Sequence, residues 1–205
     1  MTCHEYKCLL FADLYRIYGE AKLSLLLSEL LFGESYKYNF WMRTCRFSRD
    51  RSFLKFVLFP LAYFFLSRCR FRFGISIPYR TEIGGGFYIG HSGCIVVHWK
   101  STIGKNCNIS QGVTLGKANR GRNEGVPTLG DCVYIGPGAK IVGSVRIGNN
   151  VAIGANCVVT KDVPDNAVVV GIPGKVISFE GSKGYVGKTD YQTRVRASVH
   201  GSRAV

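Results

Sequence analysis

The sequence predicts a mainly β chain whose short strands wind into a three-sided parallel β-helix, with an α-helical segment ahead of it. Three observations predict it. Aliphatic residues recur every six positions: Ile77, Ile83, Ile89 and Ile95, then Ile103, Ile109 and Leu115, then Leu129, Ile135, Ile141, Ile147, Ile153 and Val159. Gly directly follows eight of these thirteen, from Ile83-Gly84 to Ile153-Gly154. Four places after the aliphatic stands a small or β-branched residue, as at Gly93, Cys107, Val113, Ala139, Val145, Val151 and Cys157.

A period of six fits neither a helix at 3.6 residues per turn nor long alternating strands. It fits one flat side of a coil, with three sides making a coil of 18 residues. The aliphatic points into the prism and the small residue four places later fills a corner. Gly and Asn, such as Asn106, Asn149 and Asn150, allow the positive φ that tight corners require. A lone coil cannot cover its own Ile, so stability comes from stacking. Thirteen hexads give slightly more than four coils. The breaks at Ile95–Ile103 and Leu115–Leu129 read as insertions of two and eight residues, the larger making a loop at 117–128.

Three regions follow: a helical cap at 1–74, the β-helix at 75–178, and a flexible tail at 179–205 without periodicity. In the cap, Glu5 to Tyr18 stops at Gly19 and Glu20 to Phe32 stops at Gly33, since Gly commonly ends a helix. Ser52 caps a third helix from Phe53 towards Phe71, bent or restarted at Pro60. That helix is apolar nearly all round. Its expected task is to cover the open end of the prism, where unpaired backbone invites aggregation. The alternative is an interfacial membrane helix, with Arg43, Arg46, Arg49, Arg51, Arg68, Arg70 and Arg72 near headgroups.

Composition narrows the class. The chain has 205 residues, 46% hydrophobic and 20% charged, which is ordinary for a globular protein. Its net charge of +14 includes one concentration, eight Lys/Arg against one Asp at 43–72. Such a surface favours polyanions or anionic headgroups. No nucleic-acid motif accompanies it, and Phe47, Phe53, Phe56, Phe71 and Phe73 fall at helix-core spacing, so nucleic acid is not an expected partner. The eight Cys form no CxxC pair, and no basic start with an apolar run opens the chain. Free thiols in the cytoplasm are the simplest reading. The longest apolar stretch, Phe53 to Leu66, contains Lys55 and Pro60 and is too short to span a bilayer. Asn108-Ile109-Ser110 has the form of a glycosylation sequon, but Ile109 points inward.

Two histidines fall in the column, His91 and His98, and an outward histidine taken by itself is ordinarily one with no task. His91 lies two places after inward Ile89, on an outward corner, between Gly90 and Gly93. With Gly90-His91-Ser92-Gly93-Cys94-Ile95-Val96-Val97, the stretch 75–178 resembles the hexapeptide-repeat acyltransferases, in particular serine acetyltransferases and their sugar-acetylating relatives. The resemblance implies a left-handed β-helix, although ordinary crossover rules favour right-handed connections. It implies acetyl-CoA as acyl donor, His91 as general base, and a homotrimer binding CoA between adjacent prisms, with the pairing of two trimers left open. The positions it assigns to the cofactor are Gly116, Lys117, Pro137, Ala155, Lys161 and Lys175.

The sequence departs from the serine enzymes at defined places. Ser76 stands where they carry the Asp that orients the base, and Gly90 where they have Asp before the His. Gly125 and Val126 replace a loop Arg and a second His. An amino-acid acceptor needs charged partners at both ends. The expected acceptor is therefore a sugar hydroxyl of a polysaccharide or its lipid-linked precursor, with serine as the alternative and a non-catalytic hexapeptide protein third. Glu82 is a candidate replacement for the orienting acid. The basic loop 117–128 is a candidate to fold over a neighbouring subunit and touch acceptor or CoA, the alternative being a surface loop without a task. No metal is expected, because a three-histidine zinc site needs more than His91 and His98.

Overall fold

The computed structural model describes residues 1–191. Four helices come first: α1 (Cys3–Tyr18), α2 (Leu23–Phe32), α3 (Ser35–Arg49) and α4 (Leu54–Phe73). In α1, Thr2 and Glu5 form a reciprocal capping box, and Gly19 ends the helix in the left-handed conformation. The start of α2 is Leu23 rather than Glu20. The last helix runs unbroken through Pro60, and Ser52 does not cap it.

The prism follows as three parallel sheets. Face A stacks β1 (Ile75–Ser76), β4 (Ile95–Val97), β7 (Thr114–Gly116), β10 (Lys140–Val142) and β13 (Val158–Val159). Face B stacks β2 (Glu82–Ile83), β5 (Thr102–Ile103), β8 (Thr128–Leu129) and β11 (Arg146–Ile147), extended by a bridge from Ile147 to Val163. Face C stacks β3 (Tyr88–Ile89), β6 (Asn108–Ile109), β9 (Tyr134–Ile135), β12 (Ala152–Ile153) and β14 (Val168–Val170), closed by antiparallel β15 (Lys175–Ser178). This is the left-handed parallel β-helix with its N-terminal helical segment. The hexad aliphatics are the buried rows: Ile83, Ile103, Leu129 and Ile147 pair in register on face B, and Ile89, Ile109, Ile135 and Ile153 on face C. Cys107, Val113, Ala139, Val145, Val151 and Cys157 fill corners and are buried. A fifth coil, with Val159, Val163 and Val169 inward, exceeds the expected count because the closing segment continues the column.

Positive φ falls later in each side than the glycines that follow the aliphatics. Asn106, Cys132 and Asn150 carry it at one edge, and Gly112, Gly138 and Asn156 at another. The glycines after the aliphatics serve close approach instead. A Cβ on Gly84 would lie 2.7 Å from the Gly104 carbonyl carbon one coil on, and one on Gly136 would lie 2.9 Å from the Ala155 nitrogen. Coils spaced about 4.8 Å apart leave no room there.

The cap works differently from expectation. It is α3, over a segment of the cap for which the sequence sets no helix bounds, that closes the first coil. Tyr38 donates to the Ile77 carbonyl at 2.9 Å, Asn39 to the Phe87 carbonyl at 3.1 Å and Arg46 to the Thr81 carbonyl at 2.9 Å. Arg43 donates to the carbonyls of Ile83 and Gly84, each at 2.6 Å, and pairs with Asp13 at 3.1 Å. Burial pushes the Asp13 carboxyl up, against the opposing pull of Arg43. These side chains occupy carbonyls that a further coil would otherwise pair. Helix α4 adds Ala62, Leu66, Cys69 and Phe73 to the core.

Two further expectations change. Arg43 and Arg46 are committed to the first coil and Arg49 donates to Tyr79, so these three do not face lipid. Phe47 and Phe73 are core residues, whereas Phe53, Phe56 and Phe71 are at least three-quarters exposed. The expected tail is anchored at a few points as far as Tyr191: Ser182 is buried, Tyr185 stacks on Tyr134 at 4.4 Å and Tyr191 packs with Ala12 and Tyr15, while most residues between are exposed. Its remainder, 192–205, lies outside the described residues.

Candidate active site

The two-residue insertion in the coils is the site's foundation. On face A the inward residue in line with Leu115 is Val97, not Ile95. Eight steps separate Ile89 from Val97, against six from Ile109 to Leu115. The extra pair therefore falls before Ile95 rather than after it. Backbone bonds locate it: Gly90 N–H donates to the Ile109 carbonyl at 2.9 Å, and the Gly93 carbonyl accepts from Gly112 at 2.8 Å. The Gln111 and Pro137 carbonyls accept the equivalent bond on the next coils, from Gly138 and Asn156. Gly93 thus occupies the ordinary corner position, and the two added residues are His91 and Ser92. They bulge from the edge between faces C and A, where a regular hexad would have kept the chain flat. Cys94 takes the corner's positive φ of 51°.

The bulge is held from the cap. Ser92 Oγ donates to Glu34 Oε2 at 2.7 Å, and Ile95 N–H to the carbonyl of Gly74 at 3.0 Å. Glu34 begins α3 and Gly74 ends α4 in the left-handed conformation. A recess beside the bulge is lined by Glu34, Phe71, Arg72, Gly74, Ser92 and Cys94. His91 itself is solvent-exposed. Glu34 was invisible to sequence reasoning, since 58 residues separate it from Ser92 and nothing local marks it.

The residues assigned to the cofactor fall into two rows bordering face A. Pro137, half-buried, and Ala155, exposed, continue the edge that carries His91, one above the other through the bond from Asn156 N–H to the Pro137 carbonyl. Gly174 N–H donates to the Val158 carbonyl, which puts Lys175 at the far end of that edge. Gly116, Lys117 and Lys161 line the opposite border, between faces A and B. Between the rows, the ammonium of Lys140 donates to the Gly112 carbonyl. A single chain does not join the two rows.

Other expectations separate from the site. Glu82 is an exposed residue of face B, paired with Thr102, and does not reach the His91 edge. His98 is occupied in a turn, its Nδ1 accepting from Lys100 N–H at 3.2 Å. Ser76 faces outward on face A opposite Val96. The loop 117–128 folds as a small hairpin through paired bonds between Ala118 and Gly125, and it lies on its own column. Asn123 donates to the Thr160 carbonyl at 2.6 Å and accepts through its own carbonyl from Ser144 N–H at 2.8 Å. Gly125 has φ +136°, and a Cβ there would meet Ser144 Cβ at 2.8 Å, so this hairpin has no space for a long side chain at that position.

Among known proteins, residues 127–161 match the family profile "Bacterial transferase hexapeptide (six repeats)". Serine acetyltransferase of Staphylococcus aureus (strain Mu50 / ATCC 700699) is 44% identical over 120 residues, covering 58% of this chain and 55% of that protein. The Bacillus pumilus (strain SAFR-032) enzyme of the same name is 40% identical over 132 residues, covering 64% and 61%. The chain thus spans little more than half the length of these curated relatives. The crystal structure of serine acetyltransferase from Brucella abortus strain S19 in complex with coenzyme A superposes with a TM-score of 0.71 at 28% identity, covering 86% of this chain and 69% of that one. The Neisseria gonorrhoeae serine acetyltransferase in complex with serine gives 0.67 at 32% identity, covering 86% and 70%. The chain belongs to the hexapeptide-repeat acyltransferases.

In this hexapeptide-repeat acyltransferase the exposed imidazole, the bulge that lifts it and the glycine-lined edge lie together. The N-terminal cap adds a carboxylate, Glu34, to the immediate surroundings of the bulge through Ser92.

Proposed function

We propose that this hexapeptide-repeat acyltransferase transfers the acetyl group of acetyl-CoA to an acceptor hydroxyl, with His91 as general base. The observation that carries the reading is the His91–Ser92 bulge. It presents an imidazole at an edge where backbone and small side chains leave room for substrates on both sides. A neutral imidazole takes the acceptor's proton as the oxygen attacks the thioester carbonyl. The carbon–sulfur bond then breaks, and the imidazolium returns its proton to the departing CoA sulfur. Backbone N–H groups directed at the developing oxyanion lower the barrier.

CoA lies in a groove completed by a neighbouring prism of a homotrimer. Gly116, Pro137 and Ala155 give the pantetheine arm a smooth wall, and Lys117, Lys161 and Lys175 meet phosphates as mobile point charges. The CoA complex of the Brucella abortus relative supports this donor.

For the acceptor, the relatives named above support serine over the sugar expected from the sequence, since they are serine acetyltransferases. The sugar reading stands second on a specific observation. Gly125 is too confined to be exchanged for a carboxylate-binding side chain, and Ser76 and Gly90 bring no acid to the base. Release of CoA thiol from acetyl-CoA, measured with serine and with a panel of sugars, decides between them. His91→Ala is expected to lower the rate on the order of 10²–10⁴-fold. Turnover within threefold of the parent would remove the assignment, and acetyl-CoA turnover with neither acceptor class would remove both acceptors.

A further inference from the structure

Helix α4 has two apolar faces and only one is used by the fold. Ala62, Leu66, Cys69 and Phe73 turn inward. On the opposite side Phe53, Val57, Phe64 and Phe71, at intervals of four, seven and seven, fall on one line of an α-helix. They are 76%, 60%, 60% and 84% exposed. Phe56 and Leu61 widen this strip, at 76% and 51%. Helix α2 continues it, because Leu31 and Phe32 share one depression with Phe71 and Arg72. A contiguous apolar patch of this kind marks an interaction surface rather than scattered surface hydrophobes.

Charge identifies the occupant. Helix α4 carries Lys55, Arg68, Arg70 and Arg72, all exposed, and no Asp or Glu. Arg68 and Arg72 flank the strip, and a second copy seated on this face would set them against their equivalents. An anionic lipid surface complements them, with rings at the acyl boundary and guanidinium groups among phosphates. Among the described residues no helix is long and apolar enough to cross a membrane, so the helix lies in the interface plane instead of spanning it.

We propose that the exposed face of α4, extended by the end of α2, docks this protein on anionic lipid bilayers. The proposal does not depend on the identity of the acceptor. It has a consequence for the site all the same. Phe71 and Arg72 also line the recess that contains Glu34 and Ser92, so docking brings the His91 bulge to the rim of the bilayer surface.

Flotation of the full chain with phosphatidylcholine vesicles, with and without phosphatidylglycerol, tests this. Wild type is expected to float with the anionic vesicles, less in high salt and little with phosphatidylcholine alone. R68Q/R72Q, at exposed sites flanking the strip, is expected to weaken partitioning on the order of 30-fold. F64S/F71S is expected to lose flotation while its molar mass by light scattering and its melting temperature stay at the wild-type values. The proposal is overturned if wild type stays at the bottom of the gradient or if the arginine variant floats as well as wild type. A fall in molar mass of F64S/F71S also overturns it, because the face is then a contact between copies. Acetyl transfer measured in parallel with a soluble acceptor keeps a failure of docking distinct from a failure of the proposed chemistry.

Discussion

Arg43→Met removes a side chain that ties α1, α3 and the first coil together, and its cost follows from the contacts. The guanidinium and the Asp13 carboxylate are 2% and 0% exposed as side chains. In the variant Asp13 retains the Phe87 N–H at 2.9 Å but loses its cation, and the Ile83 and Gly84 carbonyls lose their donors. Breaking a buried pair from one side costs about 3–5 kcal/mol, mostly as uncompensated charge. Each abandoned carbonyl adds about 1 kcal/mol where water does not reach it. Protonation of Asp13 relieves part of the total, because burial already pushes that carboxyl up. A net loss of about 4 kcal/mol is expected. Urea unfolding followed by circular dichroism and by tryptophan fluorescence measures it, Trp41 reporting on α3. The companion D13L/R43M removes both charges and is expected to recover about half of the loss. A cost under about 1 kcal/mol for Arg43→Met, or two single costs that simply add in the double variant, would refute the picture of a buried, coupled clamp.

Gly136→Ala should cost about 1–3 kcal/mol, since its Cβ meets the backbone of the coil above and not a movable side chain; a melting temperature unchanged from wild type would contradict the close-approach account. Stability should fall as pH rises from about 9 towards 12. Burial pushes the Cys45 and Cys107 thiols up to about 12, so the unfolded chain loses these protons first, and the contribution present below pH 9 is lost on the way to 12. Each thiol steepens the slope of unfolding free energy by at most ~1.4 kcal/mol per pH unit, and replacing both with Ala should flatten it. Glu34→Ala and Ser92→Ala should each lower turnover about 5- to 10-fold, as expected for one hydrogen bond that positions the bulge; kinetics of the double variant should be no worse than either single, and additive losses would separate the two residues.

Much of the column was legible because its residues repeat a local environment. An Ile that turns inward every six positions leaves a periodic trace whatever its neighbours do, and Ile83, Ile103, Leu129 and Ile147 could be assigned to one stack without any contact being known. An outward corner between two glycines does not by itself mark a base, and His91 was legible through the family resemblance of its context at 90–97. The exact seat of the insertion was not, because Ile95 and Val97 are both aliphatic and only backbone pairing shows that Val97 holds the register. Helix α3 falls in the region expected to be helical, but its role at the column end was not legible because the side chains it buries include Asn39, Arg43, Thr44 and Ser48 beside apolar ones. Their partners lie in the first coil and in α1, dozens of residues away. Sequence alone determined the repeat, the prism and the histidine at its edge. Tertiary structure decided how the first coil is closed, that loop 117–128 folds as a hairpin bonded to Ser144 and Thr160, and that Glu34 reaches Ser92. Periodicity records which way a side chain faces, whereas a hydrogen bond between distant segments depends on where the whole fold sets its two ends.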